Sequence, residues 1–175
     1  MKLEVSAVLP FPRVRVFNAY RDNLVDLTRY LPNVRSIQVL QRTDEGTVSR
    51  MLNRWRGGGE VPAVARSFLS EDLLQWDDHA TWDAAAWTCH WRTEVAAFKD
   101  AVRAEGLNRF EELGPASTRL AIRGVIEVDA TKVKGVPRLL AGGVGSAIES
   151  FLAATIRPNL VSVAEGLGKY LAEHP

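Results

Sequence analysis

The sequence predicts an α+β fold, and three observations lead there. Residues 2–9 alternate apolar and polar side chains. A succession of β-rich runs fills the chain from Val34 to Asp129. Beyond Asp129 the apolar period changes from that of a strand to that of a helix and stays helical to the C-terminus. In chain order this gives one strand, two short helices, further antiparallel strands that bring the total to about six or seven, and one long C-terminal helix.

The first strand places Leu3, Val5, Ala7 and Leu9 on one face and Lys2, Glu4 and Ser6 on the other. Pro10 and Pro12 end it, and Pro12 suits a helix start because proline lacks the N–H that a first helical turn leaves unpaired anyway. Val14, Phe17 and Tyr20 to Leu24 then fall at helical spacings. A second short helix, opening at Asp22 or Asp26, runs to Tyr30, where Leu31-Pro32 stops it by pushing Leu31 out of the helical region. Strands follow over Val34–Arg42 and Thr47–Arg56, joined by Thr43-Asp44-Glu45-Gly46. After the flexible Gly57-Gly58-Gly59-Glu60, residues 63–72 read equally as an irregular strand or a single helical turn. Strands over Leu73–Asp83, Trp87–Val95, Phe98–Glu112 and Thr118–Asp129 complete the set. In the last, Leu120, Ile122, Gly124, Ile126 and Val128 alternate with Arg119, Arg123, Glu127 and Asp129, so one face meets a core and the other meets water.

In the C-terminal helix Val144, Ile148, Phe151, Leu152 and Thr155 share an arc. Past Pro158 that face is rebuilt by Leu160, Val163, Leu167, Tyr170 and Leu171, against Glu165, Lys169 and Glu173. Pro158 cannot donate to the carbonyl of Ala154, a defect of about 3 kcal/mol in a helix interior, so a kink or a break into two helices is expected there.

Composition excludes several classes. With 22 basic and 21 acidic residues there is no global field to draw in nucleic acid or an anionic bilayer. The stretch 139–156 carries one charge, Glu149, near its centre, and its glycines and serines lower its hydropathy below that of a membrane span. Gly142-Gly143-Val144-Gly145-Ser146 lacks the lysine and the preceding strand of a phosphate loop. The single cysteine, Cys89, and an N-terminus without a signal-peptide core point to a cytoplasmic protein of one domain over 1–175. Cys89-His90 lacks a second ligand pair at zinc spacing, so neither a metal nor a cofactor is expected.

The element order, together with Val8-Leu9-Pro10-Phe11-Pro12, Val14, Val16 and Phe17, and then Leu31-Pro32-Asn33-Val34-Arg35-Ser36-Ile37-Gln38-Val39-Leu40, resembles the START-like superfamily over essentially the whole chain. That superfamily includes the birch pollen allergen, polyketide cyclase/dehydratase-like proteins, lipid-transfer START domains and ubiquinone-binding proteins. The resemblance implies a helix-grip fold: a curved sheet wrapped around the long kinked C-terminal helix, enclosing an apolar cavity for a lipid, sterol, quinone or polyketide-like molecule. The chain departs from the pattern in a longer segment over 57–72 and in Pro158.

All five tryptophans lie between positions 55 and 91. Alternation groups Trp87, Cys89 and Trp91 on one strand face and Met51, Asn53 and Trp55 on another. Turned inward, these faces either fill a core or supply apolar walls, with Asn53 as the amide that orients a ligand oxygen. The next face offers Val102, Ala104, Gly106, Asn108 and Phe110, where the small residues leave room for a ligand or mark a bulge. Ile148, Phe151 and Leu152 are expected to face them from the helix. The most enzyme-like cluster is Asp77-Asp78-His79, in which His79 shares its face with Asp77 and not with Asp78; with no nucleophile placed by spacing, the cluster reads first as a solvated strand face and only second as a catalytic pair. His90 points outward, and Glu149 sits at the edge of the apolar arc.

The leading reading is a binder of a hydrophobic small molecule without covalent chemistry. The alternatives are a cyclase/dehydratase-type enzyme in which Asp77, His79 or Asn53 handles protons, and a protein-interaction module with a filled core. In the first two, the glycines and Pro158 would loosen the helix as a lid.

Overall fold

Seven strands form one antiparallel, curved sheet in the order β1-β7-β6-β5-β4-β3-β2. They are β1 (Lys2–Leu9), β2 (Val34–Glu45), β3 (Val48–Gly57), β4 (Gln75–Asp83), β5 (Thr88–Glu94), β6 (Val102–Gly114) and β7 (Ser117–Val128). Helix α1 (Arg13–Asp22) and a 3-10 turn (Asp26–Tyr30) follow β1, and helix α2 (Ala141–Glu173) closes the chain. The computed structural model describes residues 1–58, 75–95, 99–132 and 141–175, and within 141–157 it describes side-chain burial only at Gly143, Ser146 and Ser150. The ambiguous segment 63–72 therefore lies outside the described residues. So do the side chains of Ile148, Glu149, Phe151, Leu152 and Thr155.

Most strand boundaries fall within a few residues of those expected, because alternation and turn residues set them locally. The β2–β3 connection is tighter than predicted: Glu45 pairs with Val48, leaving a two-residue turn in which Gly46 takes φ 60, a left-handed conformation that glycine adopts without strain. The second short helix is the 3-10 turn, ended by Leu31 in extended conformation before Pro32. Helix α2 runs unbroken through Pro158, which excludes two separate helices. No described helix is long and apolar enough to cross a membrane.

The inner face of the sheet divides into two regions. At the α1 end it is solid. Phe17 meets Trp82, Trp87 and Phe110 edge-on at 5.4, 5.3 and 5.1 Å, and Tyr20 packs on Trp82 at 5.2 Å, the geometry that opposed ring quadrupoles favour. Leu120, Ile122 and Cys89 close the floor beneath them. Toward the other end a smaller cluster of Leu3, Ala104 and Ile126 is bordered by residues that stay partly accessible: Trp91, Val102, Val128 and Leu160.

The C-terminal half of α2 fastens the helix across the sheet. Val163, Leu167, Tyr170 and Leu171 are buried while Glu165, Lys169 and Glu173 lie on the accessible side, as the amphipathic pattern requires. Gly166 allows close approach to the 3-10 turn, since a Cβ there would stand 3.0 Å from the Cβ of Tyr30. Arg15 donates to the carbonyls of Leu171 at 3.3 Å and His174 at 2.8 Å, satisfying acceptors that a helix C-terminus leaves open.

Candidate functional site

Register decides which side chains face the helix. Asn53 lies opposite Asp78, and Asp78 lies opposite Thr93. Because neighbours alternate, Asp78 shares the inner face with Trp76, Ala80 and Trp82, while Asp77 and His79 point to the outer face. His79 is exposed, and Asp77 is held by Arg54 through two hydrogen bonds of 2.8 and 2.9 Å, which keep its carboxyl below the usual carboxylate range. This corrects the choice of Asp77 and His79 as proton-handling residues within the grip: alternation carries both to the wrong side of the sheet.

The carboxyl inside the grip belongs to Asp78. The side-chain amide nitrogen of Asn53, itself fully buried, donates to Asp78 Oδ2 at 3.2 Å. Desolvation by the surrounding protein pushes the Asp78 carboxyl up to about 6, against the opposing pull of the Asn53 amide and of the Trp55 indole. Yet Asp78 is only half-buried by accessible surface. A side chain deep among protein atoms that still has accessible surface lines a recess rather than a packed core. Trp76, Trp91, Thr93 and Val102, on the same inner face, are likewise half-buried.

Around this carboxyl the walls are aromatic and the polar atoms are incompletely paired. Trp55 stacks on Trp76 directly across the β3–β4 ladder, with centroids 5.9 Å apart and planes at 15°. Among the described residues, Asn53 Oδ1 and the indole nitrogens of Trp55 and Trp82 are buried without a hydrogen-bond partner of normal geometry. Toward the solid end, burial raises the Tyr20 hydroxyl and the Cys89 thiol well above their ordinary pKa values, and the neighbouring Asp78 carboxylate adds to both shifts.

The other expected site residues fall into four places. Met51, Asn53, Trp55, Trp91, Val102 and Asn108 are on the inner face, and Asn108 accepts from the Trp91 indole N–H at 2.9 Å. Phe110 is packed into the solid end. Trp87 is not on the strand face of Cys89 and Trp91. It occupies the β4–β5 turn with φ 55, wedged against Phe17 and covered by the Arg13 guanidinium at 4.5 Å. Ile148, Phe151 and Leu152 lie on α2, with side chains outside the described set.

The space expected at Gly106 is already taken. A Cβ on Gly106 would stand 2.3 Å from Trp91 Cζ2, and one on Gly124 would stand 2.7 Å from Trp91 Cη2, so the indole lies across both glycines. The β5–β6 and β6–β7 pairings continue through Gly106 without a register shift, so it marks no bulge either.

A surface groove of about 1050 Å³ crosses the opposite face, bordered by Lys2, His79, His90, Arg92, Glu105 and Arg123. Arg123 is paired there with Glu4 at 3.0 Å, and Glu105 with Arg103 at 2.9 Å. This groove is open and its carboxylates are already committed to arginines, whereas the inner recess holds a desolvated carboxyl. We therefore place the candidate site inside the grip.

This fold is shared by known structures over nearly their whole length. TTHA0849 from Thermus thermophilus matches with a TM-score of 0.68 at 21% identity, covering 100% of both chains. Zhui aromatase/cyclase from Streptomyces sp. R1128 matches with a TM-score of 0.72 at 16% identity, over 97% of this chain and 92% of that one. Norcoclaurine synthase from Thalictrum flavum matches with a TM-score of 0.63 at 13% identity, over 99% and 87%. The fold is the helix grip. No protein-family model and no curated protein sequence matches the chain.

The residue missed by reading the sequence is Asp78. Its signal was present: in Trp76-Asp77-Asp78-His79-Ala80-Thr81-Trp82 it is the one charge in phase with Trp76, Ala80 and Trp82. The Asp77 and His79 pair, which looks more like a base with its orienting carboxylate, lies in the other phase.

Proposed function

We propose that residues 1–175 form one START-like domain, working in the cytoplasm, that binds a hydrophobic small molecule of the lipid, sterol, quinone or polyketide-like kind between the inner face of the sheet and α2. The observation carrying this reading is the half-accessible surface of Trp76, Asp78, Trp91, Thr93 and Val102 deep on that face, beside a helix-grip region that is otherwise solidly packed. Aromatic walls with one polar pair, Asn53 and Asp78, make a site that takes its affinity from apolar contact and its orientation from a few hydrogen bonds. Native mass spectrometry and organic extraction of the purified protein test it. A co-purifying apolar molecule is the expected result, and a protein that neither carries nor takes up apolar probes into its interior would overturn it.

A cyclase/dehydratase-type enzyme is the second reading, favoured by one observation. Asp78 is a carboxyl inside the grip whose pKa of about 6 suits transfer of a proton near neutrality. Zhui is an aromatase/cyclase by name, and the shared fold lends that reading a precedent without assigning its residues here. Turnover of a reactive polyketone chain, abolished in Asp78→Asn and retained in His79→Ala, is the expected result if this reading holds. Equal turnover in both variants would remove Asp78 from the chemistry.

A further inference from the structure

The geometry points to a ligand whose apolar body carries a protonated amine, seated with its ammonium against Asp78 and the Trp55–Trp76 pair. This rests on the recess being a ligand site and names the chemical class it selects. Asn53 spends its amide nitrogen on Asp78 Oδ2, while its own Oδ1 is left as a buried acceptor without a partner among the described residues. The recess thus presents a half-accessible carboxylate flanked by indole rings, while Asn53 Oδ1 is itself fully buried. An N–H cation answers both accessible features: it donates to and neutralises the carboxylate and is attracted by the aromatic quadrupole. A hydroxyl would use one acceptor and leave the charge uncompensated, and an anionic head would be repelled.

The sheet does not supply the counter-charge. The basic residues nearest to Asp78 in sequence and register, Arg54, His79 and Arg92, all alternate to the outer face, where Arg54 is committed to Asp77. The Trp55 indole N–H lies toward the Asp78 carboxyl without closing a normal hydrogen bond, so it favours the anion but does not neutralise it. Among the described residues no cation lies beside this carboxyl, and a desolvated anion so placed is a costly arrangement that a cationic ligand relieves.

Three probes with the same tail and different heads separate the possibilities: decylammonium, 1-decanol and decanoate, with binding followed by calorimetry and tryptophan fluorescence at pH 7.5. We expect decylammonium to bind at least about tenfold more tightly than decanol, the scale a desolvated cation–aromatic contact supplies, with decanoate weakest. In Asp78→Asn the preference for the ammonium over decanol should vanish. As a check that needs no variant, lowering the pH to 5 should erase the same preference in the unaltered protein. Among the described residues the titratable groups beside Asp78 are Tyr20 and Cys89, which burial holds protonated, so that they do not change charge over that range. If decanol binds as well as decylammonium, or if the preference survives in Asp78→Asn, the amine assignment is overturned and the apolar binding site stands. If none of the three binds, both readings fall.

Discussion

The side-chain amide of Asn53 donates to the carboxylate of Asp78 at 3.2 Å across the β3–β4 ladder, inside the grip of the sheet. A carboxyl moved from 3.8 to about 6 by desolvation binds its proton more tightly in the folded than in the unfolded chain. Stability is therefore unaffected by this group below pH 3.8, falls as pH rises through the window between 3.8 and about 6, and is lowered by about 3 kcal/mol above it. Asp78→Asn removes the charge and keeps the shape. Urea unfolding should show the variant more stable than the parent at pH 8, by up to that amount, and equal to it near pH 3.8. Equal stability of the two at pH 8 would mean that Asp78 is not desolvated.

The outer face offers the matching control. His79 is exposed and Asp77 pairs with Arg54 where solvent screens the bond. His79→Ala should change stability by less than about 0.5 kcal/mol, the usual range for a surface substitution. Asp77→Asn should cost no more than about 1 kcal/mol. Neither should change the uptake of an apolar probe, measured by tryptophan fluorescence. A loss of uptake in His79→Ala would move the site to the outer groove.

Trp91 and Gly124 make a packing prediction. A methyl on Gly124 would meet the Trp91 ring at 2.7 Å and the backbone oxygen of Glu105 at 2.9 Å. Gly124→Ala should destabilise by about 1–3 kcal/mol, as overpacking of a rigid ring does. In a double-mutant cycle with Trp91→Leu, part of that cost should disappear, because the smaller side chain no longer occupies the space over the glycine. Strict additivity in denaturant melts would show that the ring and the glycine do not touch.

Pro158 sits in a helix that continues on both sides of it and leaves the Ala154 carbonyl without its usual donor. Pro158→Ala restores the donor, and the exposed position leaves room for the change. We expect higher stability, by about 1–3 kcal/mol, with a matching rise in Tm. If stability rises while apolar uptake slows, the proline loosens a lid. If uptake kinetics are unchanged, it does not.

How much of this was legible beforehand follows from the range of each interaction. Alternation along β1 and β7, the proline stops at Pro10, Pro12 and Pro32, and the helical period after Pro158 are local patterns, and they placed the strands, α1 and the buried arc of α2 within a few residues. Trp87 was misplaced because its left-handed backbone in the β4–β5 turn is imposed by packing on Phe17 and Arg13, residues far away in the chain. Gly106 looked like empty space because nothing in its own strand announces that Trp91, from the neighbouring strand, lies across it.

The sequence by itself determined the fold class, the polar and apolar faces of each strand, and the near-neutral charge that argues against polyanionic partners. These depend on side-chain identity and spacing alone. Only the tertiary structure decided which of two adjacent aspartates lies inside the grip. Asp77 and Asp78 are identical in type and adjacent in the chain, but strand registry sets one beside Arg54 in water and the other beside Asn53 under a roof of indoles. The work of taking a charge out of water depends on what surrounds it, and that is fixed by contacts across strands.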